Sequence, residues 1–262
     1  MGMGEASATM AAKFFGQSAR QRGFDKQRLA LDWVYRWGWA RPGTIEKVGG
    51  ASRSGLAARL VRNGLLEETK TFCGGAHEGV PAKIMRLTQA GLEEVERTRE
   101  VLLPYDFGAG RSWIDGLRKF QKAQTATLGA LNAGRITGFQ VEKEMAPMSF
   151  SGVKQPDVAW VVDNALVGIV VELSAKWDRN LDAFVRGCVN MLLPADGQPA
   201  HFGSIAVVSD SDVILKRYSR AFQPGELYKV WKKDARGYWG VADTRAIPSD
   251  IRGKMLWIKY GT

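Results

Sequence analysis

The chain is poor in the residues that most often build redox and transition-metal chemistry, with two cysteines and two histidines among 262 positions. Cys73 and Cys188 stand far apart and neither belongs to a CxxC, which excludes a disulfide framework and argues against a structural zinc. His77 and His201 are too few for a three-histidine metal cluster or for the Arg and His constellation of a tyrosine recombinase. No GxxxxGK[ST] is present, so a nucleotide-driven motor lacks its phosphate cradle. No apolar run approaches the roughly eighteen residues that span a bilayer, and the opening "MGMGEASATMAAKFFGQSARQRG" carries neither a long apolar core nor a cleavage pattern. These absences predict a cytoplasmic protein with no membrane partner, thiols in a reducing compartment, and a flexible basic arm over residues 1–24.

Acidic residues are also scarce: 27 Asp and Glu face 37 Lys and Arg, a formal net charge of +10. The imbalance is local. Between Lys13 and Asn63 eleven basic residues stand against Asp25, Asp32 and Glu46, so one segment carries most of the excess. Such a footprint fits a nucleic-acid partner, and fits anionic lipid or plain solubility less specifically.

The basic segment has helical punctuation. In "QRLALDWVYRWGWA", Leu29, Leu31, Val34 and Trp37 recur at helical spacing. Pro42 interrupts, "TIEKVGG" reads as a short helix with Thr44 as candidate N-cap, and "ASRSGLAARLVRNGLLEE" reads as a basic helix that Ser52 can cap. Leu56, Leu60 and Val61 supply its apolar side, leaving Arg53, Arg59 and Arg62 to point elsewhere. A short strand over Thr69–Phe72, a glycine-rich tip from Gly74 to Gly79, a return strand Lys83–Leu87 and a charged helix follow. This order over residues 25–100 resembles the winged helix-turn-helix DNA-binding domain, with "LVRNGLLEE" and "RLTQAGLEEVE" as recognition-helix end and wing exit. The resemblance implies double-stranded DNA as partner. It makes Ser52, Arg53, Arg59, Arg62 and, at the wing, Lys83 the expected contacts, since such a helix enters the major groove.

Residues 101–134 read as a helical linker, centred on "SWIDGLRKFQKAQTATLGALN". Beyond it the period changes to strands in "RITGFQVEKEM", "PDVAWVVD" and "ALVGIVVELSAK", then a helix in "DRNLDAFVRGCVNMLL", a buried strand in "SIAVVSD" and a helix in "SDVILKRYSRAF". The expected fold class is therefore α/β (α+β), with a mixed-sheet core over residues 135–262. Asp157 opens one strand and Glu172 ends the next, with a turn at Asp163 and Asn164 that brings both carboxylates to one end. Period-2 alternation puts Glu172, Ser174 and Lys176 on one face. The two carboxylates can hold a divalent cation, Mg²⁺ or Mn²⁺, which lowers the pKa of its water for phosphodiester hydrolysis, while the lysine stabilises charge or helps orient that water.

Pro156-Asp157, Glu172 and the displaced Lys176 resemble the PD-(D/E)XK restriction-endonuclease-like superfamily. "VVELSAK" is similar to the "ExELTxK" signature of plasmid replication-relaxation and MobC-type mobilisation proteins. The resemblance implies a Mg²⁺-dependent endonuclease acting on plasmid or mobile-element DNA, including supercoiled origin DNA, alone or as a homodimer with other mobilisation or replication proteins. It also implies a further acid upstream, where Glu142 and Glu144 stand. Ser174 occupies the usual lysine position and Val170 that of the signature's first glutamate.

Plainer readings compete. Asp157 can be a strand-start cap, Glu172 and Lys176 a structural ion pair, and Glu142 and Glu144 a solvated strand face. The rival function is a DNA-binding accessory factor or repressor with a decayed nuclease fold, and a third is a protein-interaction scaffold. Nine tryptophans read mostly as core, and "YKVWKKDARGYWG" and "KMLWIKYGT" as edge strands.

Overall fold

The computed structural model describes residues 14–50, 54–71, 79–108, 114–145, 155–194 and 199–260. The chain is a mixed α/β protein that divides into two compact units, Met1–Glu144 and Met145–Thr262.

In the first unit, α1 (Ala19–Trp37) begins where the Ser18 hydroxyl accepts the Gln21 N–H at 3.2 Å and stops at Gly38, held at φ 81°. Its inner stripe of Leu31, Val34 and Trp37 is buried, as is Trp39 beyond it. Pro42 opens α2 (Pro42–Val48), where its missing N–H would have had no helical partner. Arg41 therefore occupies the cap position, and Thr44, expected there, is buried within the helix. The next helix, α3 (Leu56–Arg62), follows Gly55. Gly64 at φ 70° then turns the chain straight into β1 (Leu66–Lys70), so the strand starts earlier than the Thr69–Phe72 read from sequence.

β2 (Lys83–Leu87) runs antiparallel to β1, with Leu66 opposite Leu87 and Lys70 opposite Lys83. Thr88 caps α4 (Gln89–Glu96) by accepting the Gly91 N–H at 3.1 Å. Glycine is required at 91, because a Cβ there would run into the Leu65 carbonyl oxygen. In α5 (Ile114–Asn132), fully buried Gln124 accepts the Trp33 indole N–H at 3.1 Å and donates to the Trp39 carbonyl at 2.9 Å. Both ends of a buried amide are thus satisfied, and the stretch read as a linker contributes to the core. The strand expected over "RITGFQVEKEM" is shorter than read. β3 (Gly138–Val141) gives way to a single helical turn, α6 (Glu142–Met145).

The second unit is built on a sheet. β4 (Val158–Val162) and β5 (Ala165–Val171) form an antiparallel hairpin closed by Asp163 and Asn164, both at positive φ, the two-residue turn that matches strand twist. α7 (Asp178–Leu192) carries the chain to β6 (Ser204–Ser209), which lies parallel to β5. After α8 (Asp212–Ala221), a hairpin of β7 (Leu227–Lys233) and β8 (Trp239–Ala246) precedes β9 (Met255–Lys259), which returns parallel to β6. The strands β4, β5, β6 and β9 therefore lie side by side in that order. Their core gathers Val170, Ile205 and Val207 with Phe184, Cys188 and Met191 of α7 and Tyr218 of α8. Within "KMLWIKYGT" β9 is accordingly an edge strand of the sheet, and "YKVWKKDARGYWG" belongs to a separate two-stranded ribbon. Among the described residues no helix is long and apolar enough to cross a membrane.

Candidate active site and nucleic-acid face

Because β5 and β6 are parallel and β4 is antiparallel, the residue before β4 and the residue after β5 come to one end of the sheet. That end lies beyond the carboxyl ends of the parallel strands, the usual place for ligands on open α/β sheets. Asp157 and Glu172 occupy it. The Asp157 carboxylate accepts the Val171 N–H at 2.7 Å, while its own N–H donates to the Ile169 carbonyl at 2.8 Å. Glu172 is the next residue along, and its N–H extends the ladder to the Val208 carbonyl at 2.9 Å.

The Glu172 side chain keeps only 4% of its surface exposed, so its charge needs partners. Lys176 supplies one: its ammonium is ion-paired with Glu172 Oε2. The route differs from the expected one. β5 ends at Val171 and the chain bends at Ser174, so Lys176 is not carried to Glu172 by strand alternation but by a turn of four residues. Ser174 is exposed, and its carbonyl takes part instead of its side chain.

Tyr218 of α8 holds this turn. Its hydroxyl accepts the Lys176 backbone N–H at 3.1 Å and lies 3.2 Å from the Ser174 carbonyl oxygen and 3.4 Å from Glu172 Oε2. Burial, and then the Glu172 charge, push its phenol well above the ordinary tyrosine range, so it stays a neutral donor. Arg217 adds a bond from Nε to the Lys176 carbonyl at 3.0 Å. Sequence reading missed Tyr218 because nothing in "SDVILKRYSRAF" marks which face meets Glu172.

Glu144 is held within the first unit: both its oxygens accept from Arg36 of α1, at 3.0 and 2.9 Å, and Oε2 also takes the Val141 N–H at 2.9 Å. Arg36 lies over the Phe139 ring, 3.7 Å from its centroid. Glu144 is thus a half-buried structural acid, and Glu142 shares its helical turn rather than a strand face. No group of three or more His, Cys, Asp or Glu that could hold a metal occurs among the described residues. Asp157 and Glu172 still suit Mg²⁺ or Mn²⁺ as hard oxygen donors, since Mg²⁺ is commonly bound through one or two carboxylates and completed by water.

In the first unit, Arg59 and Arg62 are exposed on α3, and Arg41 and Lys47 are exposed beside and on α2. Ser52 and Arg53 lie outside the described residues, as do Cys73, His77 and most of the glycine-rich tip. Lys83 is exposed but paired with Glu68 at 2.6 Å. The start of α3 is held by a residue the sequence did not single out. Buried Glu46 of α2 accepts the N–H groups of Ser54 at 2.8 Å, Leu56 at 3.2 Å and Ala57 at 3.0 Å, and the Ser54 hydroxyl as well. Burial raises the Glu46 pKa, but these donors outweigh it and hold the carboxyl below its ordinary value.

No family model matches the chain, and no curated protein does. Among solved structures, the crystal structure of protein VC1899 from Vibrio cholerae aligns with 83% of this chain and 56% of that one, at 14% identity and a TM-score of 0.28. The chain thus spans little more than half the length of that protein, at a likeness that carries no argument about fold or function.

Proposed function

We propose that this protein is a DNA-binding, metal-dependent endonuclease of plasmid or mobile-element DNA, with a winged-helix first unit that chooses the site and a PD-(D/E)XK-like second unit that cuts. The observation that carries the reading is the grouping of Asp157, Glu172 and Lys176 at one end of a mixed sheet, with the ammonium against a nearly buried carboxylate. In support, α2, α3 and the β1–β2 hairpin follow in the order of a winged helix, with Arg59 and Arg62 exposed on α3.

Asp157 and Glu172 would hold the ion, which when bound supplies a water of lowered pKa and a countercharge for the phosphate. Lys176 would supply positive charge to favour the negative charge that builds on the phosphate in the transition state. Tyr218 fixes the turn that presents Lys176, and Val171 fixes Asp157. Supercoiled plasmid carrying the DNA that neighbours the coding sequence should be nicked or linearised in Mg²⁺ or Mn²⁺ and left intact in EDTA. Intact plasmid under every metal condition, with retained DNA binding, would move the conclusion to the second reading. That reading, a DNA-binding accessory factor or repressor with a decayed catalytic centre, is favoured by one feature: Glu172 is already matched by Lys176 and Tyr218, as a purely structural pair would be.

A further inference from the structure

We infer that the groove at the start of α7 grips single-stranded DNA, stacking unpaired bases on Trp177 and Trp239; this deepens the endonuclease reading and names the form of DNA that the second unit holds.

Tryptophan is seldom left in water, because its large apolar ring gains most from burial. Trp177 is nevertheless 61% exposed and Trp239 47%. Both line one open groove of about 840 Å³ that also includes Lys176, the lysine paired with Glu172. The groove is therefore continuous with the candidate catalytic cluster.

Each ring is backed by a cation. The Arg217 guanidinium lies 3.5 Å from the Trp177 centroid, and Arg179 lies 4.3 Å from that of Trp239, with the Lys233 ammonium at 5.4 Å. Cation stacking fixes the indoles without burying them. The ribbon that carries Trp239 is itself anchored: Asp182 of α7 accepts the Trp231 indole N–H at 2.7 Å and the Lys229 N–H at 3.2 Å. Backbone conformation at this place is also unusual, since Asp178 at the start of α7 has φ 43° without being glycine.

Charge selects the occupant. Along the ribbon Lys229, Lys232, Lys233, Arg236 and Arg245 outnumber Asp234 and Asp243, and every residue of β8 is exposed. Rigid aromatic faces interleaved with cations are the pattern that holds a nucleic-acid strand by base stacking and phosphate contact. Duplex DNA keeps its base faces covered by neighbouring pairs, so only an unpaired strand can use two indole platforms. A strand opened at the cutting end of the sheet meets this requirement.

Fluorescence anisotropy of labelled oligo(dT), in EDTA so that no cleavage occurs, tests the inference. The full chain should bind oligo(dT) with quenching of tryptophan emission. Trp177→Ala and Trp239→Ala should each weaken binding by about tenfold or more, and Trp239→Phe should retain most of it. Circular dichroism should report unaltered folding throughout. Parental affinity in both alanine variants overturns the inference. So does tighter binding of oligo(U) than of oligo(dT), or a dimer that Trp239→Ala dissociates while oligo(dT) affinity stays unchanged. Plasmid cleavage is read separately: a protein that binds oligo(dT) through these tryptophans but never cuts keeps the groove and loses the endonuclease.

Discussion

The Val171 N–H donates to the Asp157 carboxylate at 2.7 Å, so the acid ahead of β4 is fastened to the residue that immediately precedes Glu172. A backbone donor of this kind orients the carboxylate. The same bond would serve a purely structural cap, and substitution separates the two roles. Asp157→Asn keeps an oxygen that can accept from Val171 but removes the charge a cation needs. Under the catalytic reading, Asp157→Asn and Glu172→Gln should abolish plasmid cleavage and the Mg²⁺ or Mn²⁺ heat seen by calorimetry, with duplex affinity near the parental value. Parental cleavage rates in both variants would place the cutting centre elsewhere.

Glu46 supports a second prediction. With Gly55 at its start, α3 has no side-chain cap of its own, and the Glu46 carboxylate takes over the Leu56 and Ala57 N–H groups from the neighbouring helix. Glu46→Ala leaves the buried Ala57 N–H unmatched and Leu56 with only the Ser54 hydroxyl at 3.3 Å, and should cost about 1–3 kcal/mol in urea unfolding of the full chain. The pH dependence has a definite sign. A carboxyl held below its ordinary value in the fold contributes stability that is complete above the ordinary glutamate range and is lost as pH falls through the lower folded value. The gap in stability between the parent and Glu46→Gln should therefore narrow in acid and stay constant near neutrality. A gap that widens in acid would show that the cap is not the ionised carboxylate.

The exposed arginines of α3 give the third. Arg59→Ala and Arg62→Ala should weaken duplex binding, by about 1–3 kcal/mol for a residue that reads a base edge. A residue that touches only phosphate should weaken all sequences alike and flatten the dependence of affinity on salt. Glu46→Gln should reduce binding through the same helix, by loosening its first turn. Filter binding or anisotropy with several duplexes, across salt concentrations, distinguishes these cases. Unchanged affinity in both arginine variants would remove α3 from the DNA face.

Features that depend on local pattern were legible in the sequence. The turn at Asp163–Asn164, the apolar stripe of α7 and the apolar centre of β6 follow from residue type and spacing within a dozen positions. What failed was the extension of a local rule past its element. Alternation was carried through Ser174 to Lys176, whereas β5 stops at Val171 and the pairing arises from a bend. "VEKEM" looked like a strand with charged residues on its open face, yet its Glu144 answers Arg36, 108 residues earlier. Tyr218 meets the Lys176 turn from 42 positions away, and Glu46 holds the N-terminus of a different helix. Partnerships of this kind are set by packing, for which a single sequence carries no periodic signal.

Lys176 provides the most discriminating prediction, because two explanations of the same ion pair give opposite results. If its charge assists the reaction, Lys176→Ala should slow cleavage by about 10²-fold or more while metal binding changes little. If it serves only to neutralise nearly buried Glu172, Lys176→Ala should chiefly lower the melting temperature, and Lys176→Met, which keeps much of the stem packed near Phe184, should be tolerated in cleavage. Relocating the lysine adds a control. On a continuous strand Ser174 would share the face of Glu172, and Ser174→Lys with Lys176→Ala would restore part of the rate. Here the chain has left the strand and Ser174 is exposed, with only its carbonyl near Tyr218. The double variant should therefore remain as slow as Lys176→Ala alone. Recovery in that variant would mean that the turn rearranges when DNA binds, and a parental rate in Lys176→Ala would take the lysine out of the chemistry.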